Sequence, residues 1–151
     1  MKLANNIKLT VFAKEGDDEK AVEEALKSLV PFDIEKEKIQ ISRKICVGFE
    51  EKKITVLSVY LEKEKHMRFF LQKLCSALSK EQKEILLRQA ESRFDEQFNF
   101  FIRIDKEKLE RGEYLITDSG NCFHIKIKIA CFPRKREKGL SIIHNIFTES
   151  F

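Results

Sequence analysis

Two groups of cations dominate the chemistry available to this chain, and both lie in one stretch, Asn121 to Lys138, NCFHIKIKIACFPRKREK. Lys126 and Lys128 stand two residues apart, with His124 two residues before them, so in a strand all three share a face with Cys122 and Ala130. Phe123, Ile125, Ile127, Ile129 and Cys131 fall on the other face. Pro133 ends the alternation, and Arg134, Lys135, Arg136 and Lys138 follow where a helix should begin. Cations on a sheet face beside a helix N-terminus describe a surface that holds phosphate: the side chains supply charge and the free backbone N–H groups supply hydrogen bonds.

The helix-start cluster is the sharper of the two signals. A helix dipole disfavours positive charge at its N-terminus, by about 0.3–1 kcal/mol per unpaired cation. Cations there need a reason, and an anion held between them and the backbone supplies one. The competing reading pairs them with Glu137 and neighbouring acids. The lysine row also has two readings, since lysine on a solvent face keeps a sheet soluble and blunts edge pairing. A second strand, around Asn99–Arg103, would turn Phe101 and Arg103 outward. If it shares the sheet, Phe101 can stack a base while its neighbours neutralise phosphates; otherwise Phe101 belongs to a core covering both faces. Arg43 and Lys44, adjacent on another strand, offer one further cation to any given face.

Other chemistries lack their residues. There is no P-loop, no Gly-rich dinucleotide fingerprint, no G-x-S-x-G and no H-E-x-x-H. His66 begins a charged helix, His124 lies on an outer strand face, and His144 falls on the apolar stripe of the last helix, where a packed core role is expected. Carboxylates occur in mixed-charge runs such as Glu15–Glu24, which read as solvated helix faces. Cys46, Cys75, Cys122 and Cys131 form no C-x-x-C pair and no zinc spacing, so reduced thiols in a cytosolic protein are expected, with no metal and no cofactor. No catalytic residue is assigned.

The positioning elements follow from periodicity. Asn6–Lys14 alternates as a strand; Gly16 breaks it, and Asp17 or Asp18 caps a helix carrying Ala21, Val22, Ala25, Leu26 and Leu29. Ile39–Val47 and Ile54–Leu61 read as an antiparallel hairpin, with Ile39, Ile41, Ile45 and Val47 on one side of its first strand. Glu64–Leu78 is helical, and Ser79 to Gln82 is a capping box opening a helix to about Ser92. Phe98–Ile104 is a strand, and Asp105 caps a short helical turn closed by Gly112. Glu113–Thr117 and Cys122–Phe132 read as a last hairpin, and Leu140, Ile143, His144 and Phe147 mark the closing helix. This order gives an α+β fold, a mostly antiparallel sheet with helices packed on one face.

The 151 residues suit a single domain, residues 1–151, that buries a core without disulfides. The net charge of +4 comes from 29 basic and 25 acidic residues, too small an excess to argue for nucleic acid by itself. Its distribution says more. Six cations and one acid give residues 121–138 a charge of +5, leaving −1 on the remainder. No apolar core of a signal peptide and no membrane-length apolar run is present, so no membrane partner is expected.

Residues 98–147 resemble the archaeal RNA-binding family described as predicted exosome subunits. The pattern is Arg103-Ile-Asp-Lys106 ending a strand, a short helical turn, Gly112, a hairpin, a basic strand, then Pro133 and K/R-rich residues before an amphipathic helix. The first half agrees in element order and in Gly48, but Phe49–Lys53 replaces the family's Gly-Asn turn. The resemblance implies a fold like that of the large-subunit ribosomal protein L5, also likened to a double-stranded-RNA-binding domain. It implies RNA binding without catalysis and a link to the exosome or RNA processing. The expected RNA contacts are Phe101, Arg103, Lys106, Lys126, Lys128, Arg134, Lys135, Arg136 and Lys138, meeting structured RNA mainly through its backbone. The alternative is a protein-interaction adaptor or homodimeric module in an RNA-processing complex, for which thirteen Phe and no Trp leave room.

Overall fold

The computed structural model describes residues 2–148. Strand β1 (Ala4–Lys14) leads into helix α1 (Glu19–Ser28), and β2 (Ile41–Val47) and β3 (Lys53–Leu61) form a hairpin around a 3₁₀ turn at Phe49–Glu51. Helices α2 (Glu64–Ala77), α3 (Lys80–Arg88) and α4 (Ala90–Arg93) follow, then β4 (Asn99–Asp105), the short α5 (Lys106–Glu110), β5 (Cys122–Ile129) and α6 (Arg136–Thr148). The five strands form one sheet in the order β2-β3-β1-β5-β4, with every neighbouring pair antiparallel. This is the expected α+β architecture.

The alternation of the strands decides which face is covered. Ile7, Leu9 and Val11 of β1, Leu57 and Val59 of β3, Phe100, Ile102 and Ile104 of β4, and Phe123, Ile125 and Ile127 of β5 are buried. They share one core cluster with Leu26 of α1, Phe70 and Leu74 of α2, Leu86 of α3 and Ile143 and Phe147 of α6. The residues between them in sequence turn to the opposite, open face. Local signals start the helices as the sequence indicates. Asp18 accepts a hydrogen bond from the Ala21 N–H at 3.2 Å, Ser79 from Gln82 at 3.2 Å, and Asp105 from Lys108 at 2.9 Å. Gly112, at φ +84°, ends α5 in a conformation that suits glycine.

Three expectations change. Glu113–Thr117 does not form a hairpin with β5, because β1 and β4 already occupy both edges of that strand. The segment runs along the outer edge of β4 instead: the Asp105 N–H donates to the Leu115 carbonyl at 2.8 Å and the Thr117 N–H to the Arg103 carbonyl at 3.0 Å. The helix drawn to Ser92 breaks at Gln89, where ψ is 13°, and resumes as α4. His144 is exposed, since the buried stripe of α6 runs through Ile142, Ile143, Ile146 and Phe147. Ile41, Ile45 and Val47 do share one side of β2, and on this edge strand Ile45 and Val47 are 53% and 73% exposed. The buried histidine is His66, whose ring lies 4.8 Å from that of Phe32 and whose Nε2 is 3.4 Å from Glu37.

Cys75 is buried, its Sγ 3.2 Å from the Ile146 carbonyl, and burial pushes its thiol pKa up to about 11. Burial also raises that of Cys122. Neither is poised as a nucleophile at neutral pH. Among the described residues, no helix is long and apolar enough to cross a membrane.

Candidate nucleic-acid interface

Cross-strand register assembles the open face from residues far apart in sequence. Lys8 of β1 pairs with Tyr60 on one side and Lys126 on the other, and Lys126 pairs in turn with Phe101. One row across four strands therefore reads Tyr60, Lys8, Lys126, Phe101. The next row reads Ser58, Thr10, His124, Arg103. On the other side of the first, Asn6, Lys128 and Asn99 align. Phe12 and Lys14 continue β1 on this face, and Lys44 stands on β2 opposite Val56.

The charge on this face is one-sided. Lys8, Lys14, Lys44, Arg103, Lys126 and Lys128 stand against one strand carboxylate, Asp105, which is spent capping α5. Among the described residues none of these six cations enters an ion pair. Lys8 and Lys126 are direct cross-strand neighbours, an arrangement that like charges make unfavourable. Aromatic surface lies among them: Phe12 and Tyr60 are 49% and 45% exposed, and the half-buried Phe101 ring sits 5.4 Å from the His124 ring. Burial, then the charges of Arg103 and Lys126, hold the His124 pKa below the usual imidazole value. His124 is therefore neutral at neutral pH and presents an aromatic surface.

The structure thus brings Phe101, Arg103, Lys126 and Lys128 together on one face. Lys106 stands elsewhere. It is buried, and its Nζ donates to the Phe12 carbonyl at 2.8 Å and to Asp17 Oδ2 at 2.7 Å, tying α5 to the end of β1. That bond, with one from the Lys14 backbone N–H, holds the Asp17 carboxyl below its ordinary range. A family-pattern lysine is here engaged inside the fold.

The helix-start cluster also has internal partners. Helix α6 begins at Arg136, so Arg134 and Lys135 precede it. Arg136 Nη2 donates to the carbonyls of Glu91 and Phe94 at 2.8 and 3.1 Å, capping the end of α4, and its guanidinium lies 5.2 Å from the Phe94 ring. Arg134 lies 5.7 Å from the Phe98 ring, and Lys138 Nζ donates to the Phe132 carbonyl at 2.8 Å. Close packing sets this arrangement: a Cβ on Gly139 would fall 2.6 Å from Phe94 Cζ, so α6 rests directly on that ring. Arg136 and Lys138 thus have carbonyl partners and Arg134 an aromatic one, and all three side chains are exposed. Lys135 is exposed.

Sequence reasoning did not assign Lys8, Thr10, Phe12, Lys14 or Tyr60 to the site. The alternation of the first four was visible in β1, and Tyr60 lies on β3, but only the strand order places β1 between β3 and β5. Gln89, Arg93 and Asp118, which line a cleft with Phe101, Arg103 and His124, carried no periodic signal.

A model of a protein family described as RNA binding matches residues 6–129. The chain is 32% identical over 134 residues to RNA-binding protein PAB1135 of Pyrococcus abyssi, covering 89% of this chain and 87% of that one. Two solved structures share its architecture. Protein AF2318 from Archaeoglobus fulgidus superposes with a TM-score of 0.83 at 27% identity, covering 97% of this chain and 99% of the other. Mth689 from Methanothermobacter thermautotrophicus, a DUF54 protein, gives 0.78 at 29% identity, covering 96% and 98%. The matched residues 6–129 run from the first lysine-bearing strand to the last, spanning all five strands of the sheet; the chain belongs to this RNA-binding family.

Proposed function

We propose that the open sheet face is where this protein binds RNA, and that it binds without catalysing a reaction. Lys8, Lys126, Lys128 and Arg103 neutralise backbone phosphates, and Phe101, His124, Phe12 and Tyr60 offer surfaces on which bases stack. The observation that carries this reading is the cross-strand row Tyr60, Lys8, Lys126, Phe101, two lysines side by side between two aromatics. Adjacent cations with no carboxylate partner are unfavourable in the free protein and favourable against an anion. Arg134 and Lys135, in the loop that follows β5 beyond Lys128, extend the contact; Arg136, Lys138 and Lys106 serve the fold.

The test is the salt dependence of RNA binding by fluorescence anisotropy. Four phosphate contacts predict log affinity falling against log salt with a slope of about −3 for single strands. A slope near zero would contradict the reading.

Partners in RNA processing, the exosome among them, and a cytoplasmic location remain part of the same proposal. Their support is the sequence pattern of residues 98–147 and the cysteine usage. A protein-facing role has its own observation. The outer edge of β2 is unpaired among the described residues, and Ile45, Val47 and Phe49 there are 53%, 73% and 89% exposed. Such an edge suits a second protein chain.

A further inference from the structure

A cleft of about 610 Å³ opens where α4 meets the outer side of β4, walled mainly by Gln89, Arg93, Phe101, Arg103, Asp118 and His124. Its volume lies in the range of clefts that enclose small ligands, roughly 300–1,000 Å³. A second hollow of about 400 Å³ adjoins it on the sheet face. The two share Arg103 and His124, and the second adds Lys8, Phe12 and Lys126. The lysine row thus leads over a ridge, Arg103 and His124, into the cleft.

The polar groups of the cleft are built in. The Arg93 side chain is only 10% exposed. Its Nε and Nη2 donate to Gln89 Oε1 at 3.0 and 2.6 Å, and its Nη1 to the Phe101 carbonyl at 3.3 Å. Burial and the nearby charge of Arg103 lower its pKa, while Asp118 opposes them. Asp118 sits at the mouth with its side chain 93% exposed, its Oδ1 3.8 Å from Arg93 Nη2. Its carbonyl accepts a hydrogen bond from Arg103 Nη1 at 3.0 Å. Arg103 has only the neutral Asp118 carbonyl, and one solvent-exposed carboxylate at salt-bridge range is a weak counterion for Arg93. Phosphate, with more charge and more acceptor oxygens, is a better one.

We propose that this cleft receives one unpaired nucleotide of the bound RNA, its base against Phe101 and His124 and its phosphate displacing the Asp118 carboxylate from Arg93 and reaching Arg103. The Gln89 amide, whose oxygen already serves Arg93, keeps its N–H groups to offer to the edge of the base. A paired base cannot enter, because its faces are covered within the duplex stack and its edge is engaged with its partner. The inference rests on the open face being the RNA surface, and adds that the RNA presents an unpaired base at the edge of β4.

The experiment measures anisotropy of labelled oligouridylate, alone and annealed to oligoadenylate, at one salt concentration. Wild-type protein is expected to bind the single strand at least about tenfold more tightly than the duplex. Phe101→Ala is expected to lose about tenfold for the single strand and less than about twofold for the duplex. Phe101→Leu, which keeps the wall filled without a ring, is expected to show the same loss with an unchanged melting temperature. Asp118→Asn is expected to bind the single strand about two- to fivefold more tightly, since the competing charge is gone. Equal affinity for the two RNAs, or an equal or absent effect of Phe101→Leu on both, overturns the cleft. Unchanged or weaker binding by Asp118→Asn overturns the role of Asp118. If wild-type protein binds neither RNA, it is the open-face reading that fails.

Discussion

Replacing both Lys8 and Lys126 with Glu is expected to weaken RNA binding about a hundredfold and to leave the melting temperature nearly unchanged. The two side chains are cross-strand neighbours on the open face, and each makes a charge-assisted contact worth about 1.5 kcal/mol when a phosphate is present. Losing both amounts to about 3 kcal/mol, close to a hundredfold. The double variant also flattens the salt slope by about 1.4. The single variant Lys126→Glu sharpens the point. It replaces a like-charge pair with an opposite-charge pair, so stability rises by about 0.2–1 kcal/mol while affinity falls. Affinity and stability moving in opposite directions are expected where a functional surface is kept at a cost to the fold.

Lys106→Met is the contrast. It leaves affinity unchanged and removes charge-assisted bonds to Asp17 and the Phe12 carbonyl, at a cost of about 1.5–3 kcal/mol. The Asp17 side chain is 34% exposed, which places the loss toward the lower end. The pH dependence follows in sign. Asp17 has a folded pKa below its ordinary value of 3.8, so its contribution is present above that value and is lost as pH falls through the lower folded one. In Lys106→Met that part of the acid sensitivity shrinks, as thermal melts across acidic pH would show.

The second large effect separates two adjacent phenylalanines. Phe100 is fully buried, its ring 5.9 Å from that of Phe147, on the face of β4 that meets α6. Phe100→Ala is expected to cost about 3–5 kcal/mol through lost burial and the cavity left behind. For a chain of this size that lowers the melting temperature by about 6–20 °C. Phe101 points the other way, to the open face beside His124. Phe101→Ala is expected to cost well under half that drop and to lose RNA affinity instead. Differential scanning calorimetry and the anisotropy titration together check the division. Equal stability losses would mean that both faces of β4 are core.

The strands were legible because their periodicity is strict. The alternation of β5 and of β1 fixes which side chains face the helices without any knowledge of strand order. The caps at Asp18, Ser79 and Asp105 were legible because each is a local contact within three residues. The Glu113–Thr117 segment was misplaced because its composition shows a tendency to extend but not which edge is free to receive it. The site was half legible for a related reason. Residues on β4 and β5 could be paired by guess, but Lys8 meets Lys126 only because β1 inserts between β3 and β5. At the helix start the dipole argument was legible, but the partners of Arg136 lay out of reach of the sequence. The carbonyls of Glu91 and Phe94, some 42 to 45 residues away, take the Arg136 guanidinium.

The central claim is that RNA meets the open face of the sheet. A titration of isotope-labelled protein with a short oligouridylate, followed by backbone and side-chain chemical shifts, tests it most directly. The account predicts the largest shifts at Lys8, Thr10, Phe101, Arg103, His124 and Lys126, with small ones along α1 and α2. Shifts confined to the helical side, or centred on the exposed β2 edge around Val47 and Phe49, would contradict it.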